Sequence, residues 1–369
     1  MENNFALKDM FNRETVGILA SAVKTEYPEF QGENFLQNVF NEGWEELALK
    51  ERVRHITLML GELLPGDYQE SLEILKRVLP HLEEQGFEKM VFPDFIEVYG
   101  LDEWDLSIPA LEFFTQHVSG EFAIRHFIDR YPSETLQVMQ NWTDHPHPGV
   151  RRLASEGCRP RLPWGMRLSD LVRDPSPILP ILEKLKYDER EEIRRSVANN
   201  INDISKDHPD LVADLLTKWQ DPDNTDRTKL ISHALRTLVK NGHPRALGLL
   251  GYSSNPKIEI KNITLEPREI NLGEKLVFSF EIISTGNEDQ KLMIDYIVHF
   301  MRANGKQNPK VFKLSQKTIK SGETIKITKK HGFIPISTRK YYPGKQSFQP
   351  QVNGKTWQRV DIELIVPKS

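Results

Sequence analysis

Cysteine is almost absent from this chain: one residue of 369, Cys158. A single thiol excludes an intrachain disulfide framework and a thiolate metal cluster. Long apolar runs are missing too, and nothing approaches the roughly 20 residues of a membrane-spanning helix. The opening "MENNFALKDMF" has neither the basic start nor the apolar stretch of a secretory signal. Together these absences set an expectation of a cytoplasmic protein without a membrane partner. At 38% hydrophobic residues, the chain can still bury a core large enough for two or three domains.

An excess of one charge is also lacking overall, since the net charge is −4, but the balance is uneven along the chain. Residues 255–369 hold 20 Lys and Arg against 11 Asp and Glu, so the preceding residues are acidic. The stretch 301–345 carries 12 basic residues and one acid, Glu323. A polyanion is one candidate partner for such a surface, and a solvated lysine-rich sheet face is the plainer alternative.

Periodicity divides the chain into three parts. Residues 1–103 read as acidic helices that cap and support a larger helical body, as in "VGILASAVKTEY" and "ESLEILKRVLPHLEEQ". Residues 104–254 repeat internally. "YPSETLQVMQNWTDHPHPGVRRLAS" aligns without a gap on "HPDLVADLLTKWQDPDNTDRTKLIS", and "IRRSVA" of an intervening copy echoes "VRRLAS". Helical repeats of HEAT type have units of this length and stack into a curved array with a concave face. Residues 255–369 change to short alternating stretches such as "GEKLVFSFEIIS" and "QKLMIDYIVHFM". Roughly seven strands of this kind predict an immunoglobulin-like β-sandwich. The fold class is therefore mainly α, a HEAT-like solenoid followed by a sandwich.

Within the repeats, "ASEGCRPRLPWGMRLSDLV" places Arg159, Arg161 and Trp164 on one proline-stiffened connection just after Glu156. Glu156 could simply pair with Arg152 one turn earlier, but its position beside the arginine-rich loop favours an ionised, functional acid. In "EEIRRSVANNINDISKDHP", Ile193, Val197, Ile201 and Ile204 form the inward stripe, which leaves Arg195, Asn199, Asn202 and Asp203 on the other face. Asparagines are poor helix-interior residues, so their density implies contacts, either to a ligand or between repeats. In "LEFFTQHVSGEFAIRHFIDRY", read as helical, Glu121 follows Gly120 and has Arg125 four residues on as a possible partner. The three acids, with Arg152, Arg159, Arg161, Arg195 and Asn199 around them, suggest a groove that neutralises phosphates while reserving negative charge for a cation. Trp142 and Trp219 fall at equivalent repeat positions and are expected in the core. Trp164 escapes that register and is the candidate ligand contact. His145 and His147 lack a third ligand at suitable spacing, so no metal is expected.

"VRRLASEGCRPRLPW" and "EIRRSVANNINDISKDHPDLV" resemble the AlkC/AlkD superfamily of DNA alkylation-repair glycosylases, the first motif most like its AlkC branch. "FALKDMF" and the immunoglobulin-like C-terminus resemble the same branch. The resemblance implies hydrolysis of the N-glycosidic bond to cationic alkylated bases, especially 3-methyladenine and, for AlkC, 3-methylcytosine or 1-methyladenine, without full base flipping. It also implies functional acids at Glu121, Glu156 and Asp203 and an aromatic contact at Trp164. No cofactor is called for, and the partner is double-stranded DNA containing alkylated bases, bound by a protein expected to be monomeric and associated with the nucleoid when on DNA. A noncatalytic HEAT scaffold that binds DNA or an acidic protein is the competing reading.

Overall fold

Apolar residues spaced three and four apart form helices from Arg13 to Leu249, and the alternating stretches beyond form strands. The structure is a computed structural model, and residues 6–82, 86–336 and 339–367 are described. Phe5 of "FALKDMF" lies outside them. The chain divides into two units. One comprises residues 1–207 and 221–234, and the other residues 208–220 and 235–369.

In the first unit, the helix Glu191–Ile204 packs between Pro148–Glu156 and Thr225–Ala234. Ile193, Val197, Ile201 and Ile204 all point inward and are buried. The repeat is visible in its arginines. Arg151 donates to the carbonyls of His145 and Pro146 and forks onto Asp188, with Nε to Oδ2 at 2.7 Å. Arg194, its counterpart, donates to the carbonyls of Asp188 and Glu189 and reaches Asp226 at 2.8 Å. The first arginine of each "RR" pair thus ties one repeat to the next, and the second is left for other work. Prolines open the helices Pro132–Trp142 and Pro148–Glu156, where a missing N–H leaves no helical bond unmade.

The segment expected to be one helix through Phe122 is instead two. One helix ends at Thr115 and the next spans Ala123–Arg130, with Ser119, Gly120 and Glu121 in the connection. Gly120 lies in the break, where the chain passes close to the preceding helix. It is buried, and a Cβ there would lie 2.8 Å from Thr115 Oγ1.

Among the described residues the second unit has nine strands: β1 (Ile258–Glu266), β2 (Glu269–Asn271), β3 (Lys275–Ser284), β4 (Gln290–Met301), β5 (Gln307–Ile319), β6 (Thr324–Gly332), β7 (Gly344–Val352), β8 (Lys355–Thr356) and β9 (Val360–Ile365). They form a sheet β1-β3-β6 and a second sheet β2-β9-β7-β4-β5, with β8 paired to β7. Phe278, Phe280, Leu292, Ile294, Val298 and Phe348 fill the core. The two outer strands β5 and β6 carry Lys310, Lys313 and Lys317, and Lys326, Lys329 and Lys330, all exposed.

Candidate functional site

Glu156 is the last residue of its helix, and the chain then runs through Gly157 into a loop that lacks repetitive structure until Ser169. Glycine is required at 157, because a Cβ would sit 2.5 Å from Ile124 Cγ2 and 2.9 Å from the Leu153 carbonyl. The buried start of this loop, residues 157–160, leaves carbonyls without ladder partners, and these need donors. Arg125, wholly buried in the helix Ala123–Arg130, supplies them. Its Nη1 donates to Gly157 O at 2.8 Å and Arg159 O at 2.7 Å, and its Nε donates to Met166 O at 2.7 Å. Burial lowers its pKa to about 10, which still leaves it charged at neutral pH. The alternative in which Glu121 simply pairs with Arg125 does not hold: Arg125 serves the loop backbone, and Glu121 has other hydrogen-bond partners.

Those partners begin a continuous chain of charge. Glu121 Oε2 accepts from Ser119 Oγ at 2.9 Å and from Arg152 Nη2 at 3.1 Å. Arg152 also approaches Glu156 Oε2 at 3.9 Å. Glu156 pairs more closely with Arg159, whose Nη1 lies 2.5 Å from Oε1, so the intrahelical Arg152 contact is secondary. The same guanidinium turns its Nε to Asp203 Oδ2 at 2.8 Å, and Lys206 Nζ meets Oδ1 at 2.8 Å. Three carboxylates from three separate stretches are thus joined through Arg152 and Arg159. Burial opposes the Arg159 charge, and Glu156 and Asp203 outweigh it, holding the group above the ordinary arginine range. The two acids are 5% and 1% exposed, respectively.

The remaining expected site residues fall into distinct places. Trp164 is 71% exposed and has φ +62°, the left-handed region that costs a residue with a Cβ roughly 1–2 kcal/mol. Its carbonyl accepts from Lys50 Nζ at 3.1 Å. Arg161 forks onto Asp207 with contacts of 2.8 and 2.7 Å. Arg195 is exposed, and Asn199 lies beside His233 at 2.9 Å. Of the five arginine and asparagine residues expected to meet DNA, Arg159 is inside, between the acids. The expected outward face of Glu191–Ile204 is also narrower than its pattern implied, for Asn202 and Asp203 are buried. Asn200 stitches repeats, donating to Ser155 O at 2.9 Å and approaching Cys158 Sγ at 3.3 Å.

His147 caps its own helix by accepting from Gly149 N at 3.2 Å. Among the described residues no group of three or more His, Cys, Asp or Glu could hold a metal ion. Cys158 is buried, which pushes its thiol up to about 12 and leaves it unreactive as a nucleophile at neutral pH. Trp142 and Trp219 are core residues. No helix among the described residues is long and apolar enough to cross a membrane. Sequence reasoning missed Lys50 and the role of Arg125 in the loop, having offered Arg125 only as a possible partner of Glu121. Arg125 had a signal, a charged residue beside the inward stripe Ile124, Phe127 and Ile128.

The chain is similar to known proteins along nearly its whole length. Residues 259–366 match the family described as "Uncharacterised protein YhaZ, C-terminal Ig-like domain". Over 359 residues the chain is 42% identical to the uncharacterized protein YhaZ of Bacillus subtilis (strain 168), covering 97% of this chain and 99% of that one. It is similar at 38% identity to a solved structure of the Pseudomonas fluorescens alkylpurine DNA glycosylase AlkC bound to DNA containing an abasic-site analogue, with a TM-score of 0.92 over 98% of this chain and 100% of that one. With likeness of this extent in both units, the chain belongs to the AlkC/AlkD superfamily of DNA glycosylases, in the group with a C-terminal immunoglobulin-like domain.

Proposed function

We propose that this protein is a monofunctional DNA glycosylase that hydrolyses the N-glycosidic bond of cationic alkylated bases in duplex DNA, 3-methyladenine foremost and 3-methylcytosine or 1-methyladenine with it, without full base flipping. The observation that carries the reading is the chain Glu121–Arg152–Glu156–Arg159–Asp203 with the exposed Trp164 on the same loop as Arg159. Carboxylates in a groove for a polyanion repel its backbone, so they want a cationic object to serve.

An alkylated ring nitrogen makes the base that object. The C1′–N bond breaks with its electron pair going to the base, which leaves neutral and needs no prior protonation. Positive charge then develops on the deoxyribose, and fixed carboxylates stabilise it more than they stabilise the ground state. Glu156 and Asp203 are assigned this work. Arg159 keeps their geometry set before the reaction, so no reorganisation is needed when charge appears. Glu121, less buried and held by Ser119 and Arg152, is assigned to orient the water that adds to C1′, whose surplus proton passes to bulk solvent. Trp164 is assigned to pack against the lesion or its sugar, with Arg152, Arg161, Arg195 and Asn199 on the DNA.

Incubating the protein with duplex DNA containing 3-methyladenine, and measuring free base and abasic sites, tests the reading. Release of the base with no strand cleavage is the expected result. Binding without release would favour a noncatalytic scaffold.

A further inference from the structure

The region before the repeats contributes to the site through one side chain. Lys50 stands in the first turn of the helix Leu49–Leu63, in the same unit as the repeats. Its helix is anchored: Glu51 closes the N-terminus on Ala48 N at 2.7 Å, and Arg54 forks onto Asp94 at 2.9 and 3.0 Å. From that position Lys50 Nζ donates to the Trp164 carbonyl at 3.1 Å and lies 4.1 Å from the centroid of the Phe122 ring. Phe122 directly follows Glu121. One ammonium therefore bridges the stretch that carries Glu121 and the loop that presents Trp164.

Trp164 needs such an anchor. Its ring is mostly in solvent, so packing does little to fix it, and its left-handed backbone is one that an unsupported residue with a Cβ leaves. Arg125 pins the loop on either side, at Gly157, Arg159 and Met166, but makes no bond to residue 164 itself. Leu162 and Arg125 crowd the next residue, Gly165, where a Cβ would lie 3.0 Å from Leu162 Cδ2 and 3.2 Å from Arg125 Nε. The ring of Phe122 stabilises the cation at this distance by its negative face.

We propose that Lys50 is a positioning residue for Trp164, holding the peptide at 164 against Phe122 and so setting the direction in which the indole meets damaged DNA. This rests on the glycosylase reading for its effect on rate, but the conformation of Trp164 can be read without it.

The experiment compares Lys50→Met, Lys50→Arg, Trp164→Ala and the double variant Lys50→Met/Trp164→Ala in single-turnover excision of 3-methyladenine from duplex DNA, with protein saturating. K50M is expected to be slower by about tenfold to a hundredfold, the scale on which misplacement of a site group acts. K50R keeps a donor and a cation over Phe122 and is expected to recover most of the rate. In the W164A background, K50M is expected to add less than about twofold, because a residue that acts through Trp164 has nothing left to position. An undiminished K50M rate, or the same loss in both backgrounds, overturns the proposal. So does a K50M defect confined to affinity for undamaged duplex, which would make Lys50 a phosphate contact. A second readout does not use activity: acrylamide quenching of the Trp164 fluorescence, taken as the parent minus Trp164→Phe difference and repeated in K50M. The other five tryptophans, the buried Trp44, Trp142 and Trp219 and the half-buried Trp104 and Trp357, are common to both members of the difference and cancel. Changed quenching in K50M, with thermal unfolding unshifted, supports the proposal even if no base is released by the parent, and unchanged quenching overturns it.

Discussion

Replacing Arg159 by methionine keeps most of the stem and removes the charge that Glu156 and Asp203 share. Both acids are nearly solvent-free, so neither can recover hydration in place. Removing one partner of a buried ion pair costs about 3–5 kcal/mol, chiefly because the other charge is left uncompensated. Lys206 remains 2.8 Å from Asp203 and Arg152 remains 3.9 Å from Glu156, which places the expected loss near the lower bound, about 3 kcal/mol. Arg161, two residues on, provides the internal comparison. It makes two good contacts to Asp207, but the two side chains are 29% and 27% exposed. Solvent screens that pair, and R161M is expected to cost only about 0.2–1 kcal/mol. Denaturant unfolding followed by two probes measures both losses as shifts in midpoint at constant m-value. Adding Asp203→Asn to R159M removes one of the stranded charges and is expected to restore part of the stability. Equal losses in R159M and R161M, or a double variant that loses the sum of its single effects, would refute the assignment of Arg159 as the shared counter-ion.

The acids themselves are expected to separate chemistry from binding: Asp203→Asn and Glu156→Gln lower the single-turnover excision rate by about 10²–10³ while binding of damaged duplex changes little, and Glu121→Gln is milder. Neutralising Lys310, Lys313 and Lys317 on β5 is expected to weaken binding to damaged and undamaged duplex alike, and to flatten log affinity against log salt by about 0.9 per lost phosphate contact, as anisotropy across a salt series would show. The sandwich also carries opposed titrations. Burial pushes the Asp295 carboxyl up to about 6, with Lys313 and Lys240 offsetting only part of the effect, so its charged form strains the folded state above that pH. Asp295→Asn is therefore expected to stabilise the protein at pH 7.5 by about 2–3 kcal/mol, a gain that shrinks as pH falls through 6 and vanishes near 4. Burial lowers His331 to about 4, so its contribution is complete above about pH 6.5 and is lost as pH falls toward 4. In the parent the two nearly cancel between pH 4 and 6, and D295N should expose the His331 loss in unfolding midpoints taken from pH 4 to 8; destabilisation by D295N at pH 7.5 would refute the burial argument.

Most of the sandwich was legible because β1, β3, β4, β5, β6 and β9 carry apolar residues at alternate positions. β7 was not, although it lies between β4 and β9 at the centre of its sheet. Its sequence, "GKQSFQPQV", contains three glutamines and Pro350, a composition that argues against a central strand. Hydrogen bonds to remote groups make it possible. Gln346 accepts from Met301 N at 2.7 Å and donates to Tyr342 O at 3.1 Å, while Gln351 donates to Lys240 O at 2.8 Å. Pro350, which has no N–H to offer, still accepts from Trp357 N at 3.1 Å. A local pattern counts side-chain polarity and cannot count partners that arrive from 45 or 111 residues away.

The same distinction separates the site residues that could be read from those that could not. Glu156, Arg159 and Trp164 lie on or at the start of one short connection, Asp203 lies in a helix whose apolar stripe can be counted, and Glu121 precedes another. Their chemistry stands out against neighbours in sequence. Arg125 and Lys50 stand out only against neighbours in space, since one bonds carbonyls 32 to 41 residues away and the other a carbonyl 114 residues away. Yet the need for them follows from the loop itself. A half-buried, proline-broken connection cannot satisfy its carbonyls by a regular ladder, and buried carbonyls without donors are costly. Such a loop therefore implies a long cation nearby, and an arginine adjoining the inward stripe of a helix is the residue type able to meet several carbonyls at once. Arg125 meets that need at Gly157 and Arg159, whose carbonyls lie in the buried start of the loop.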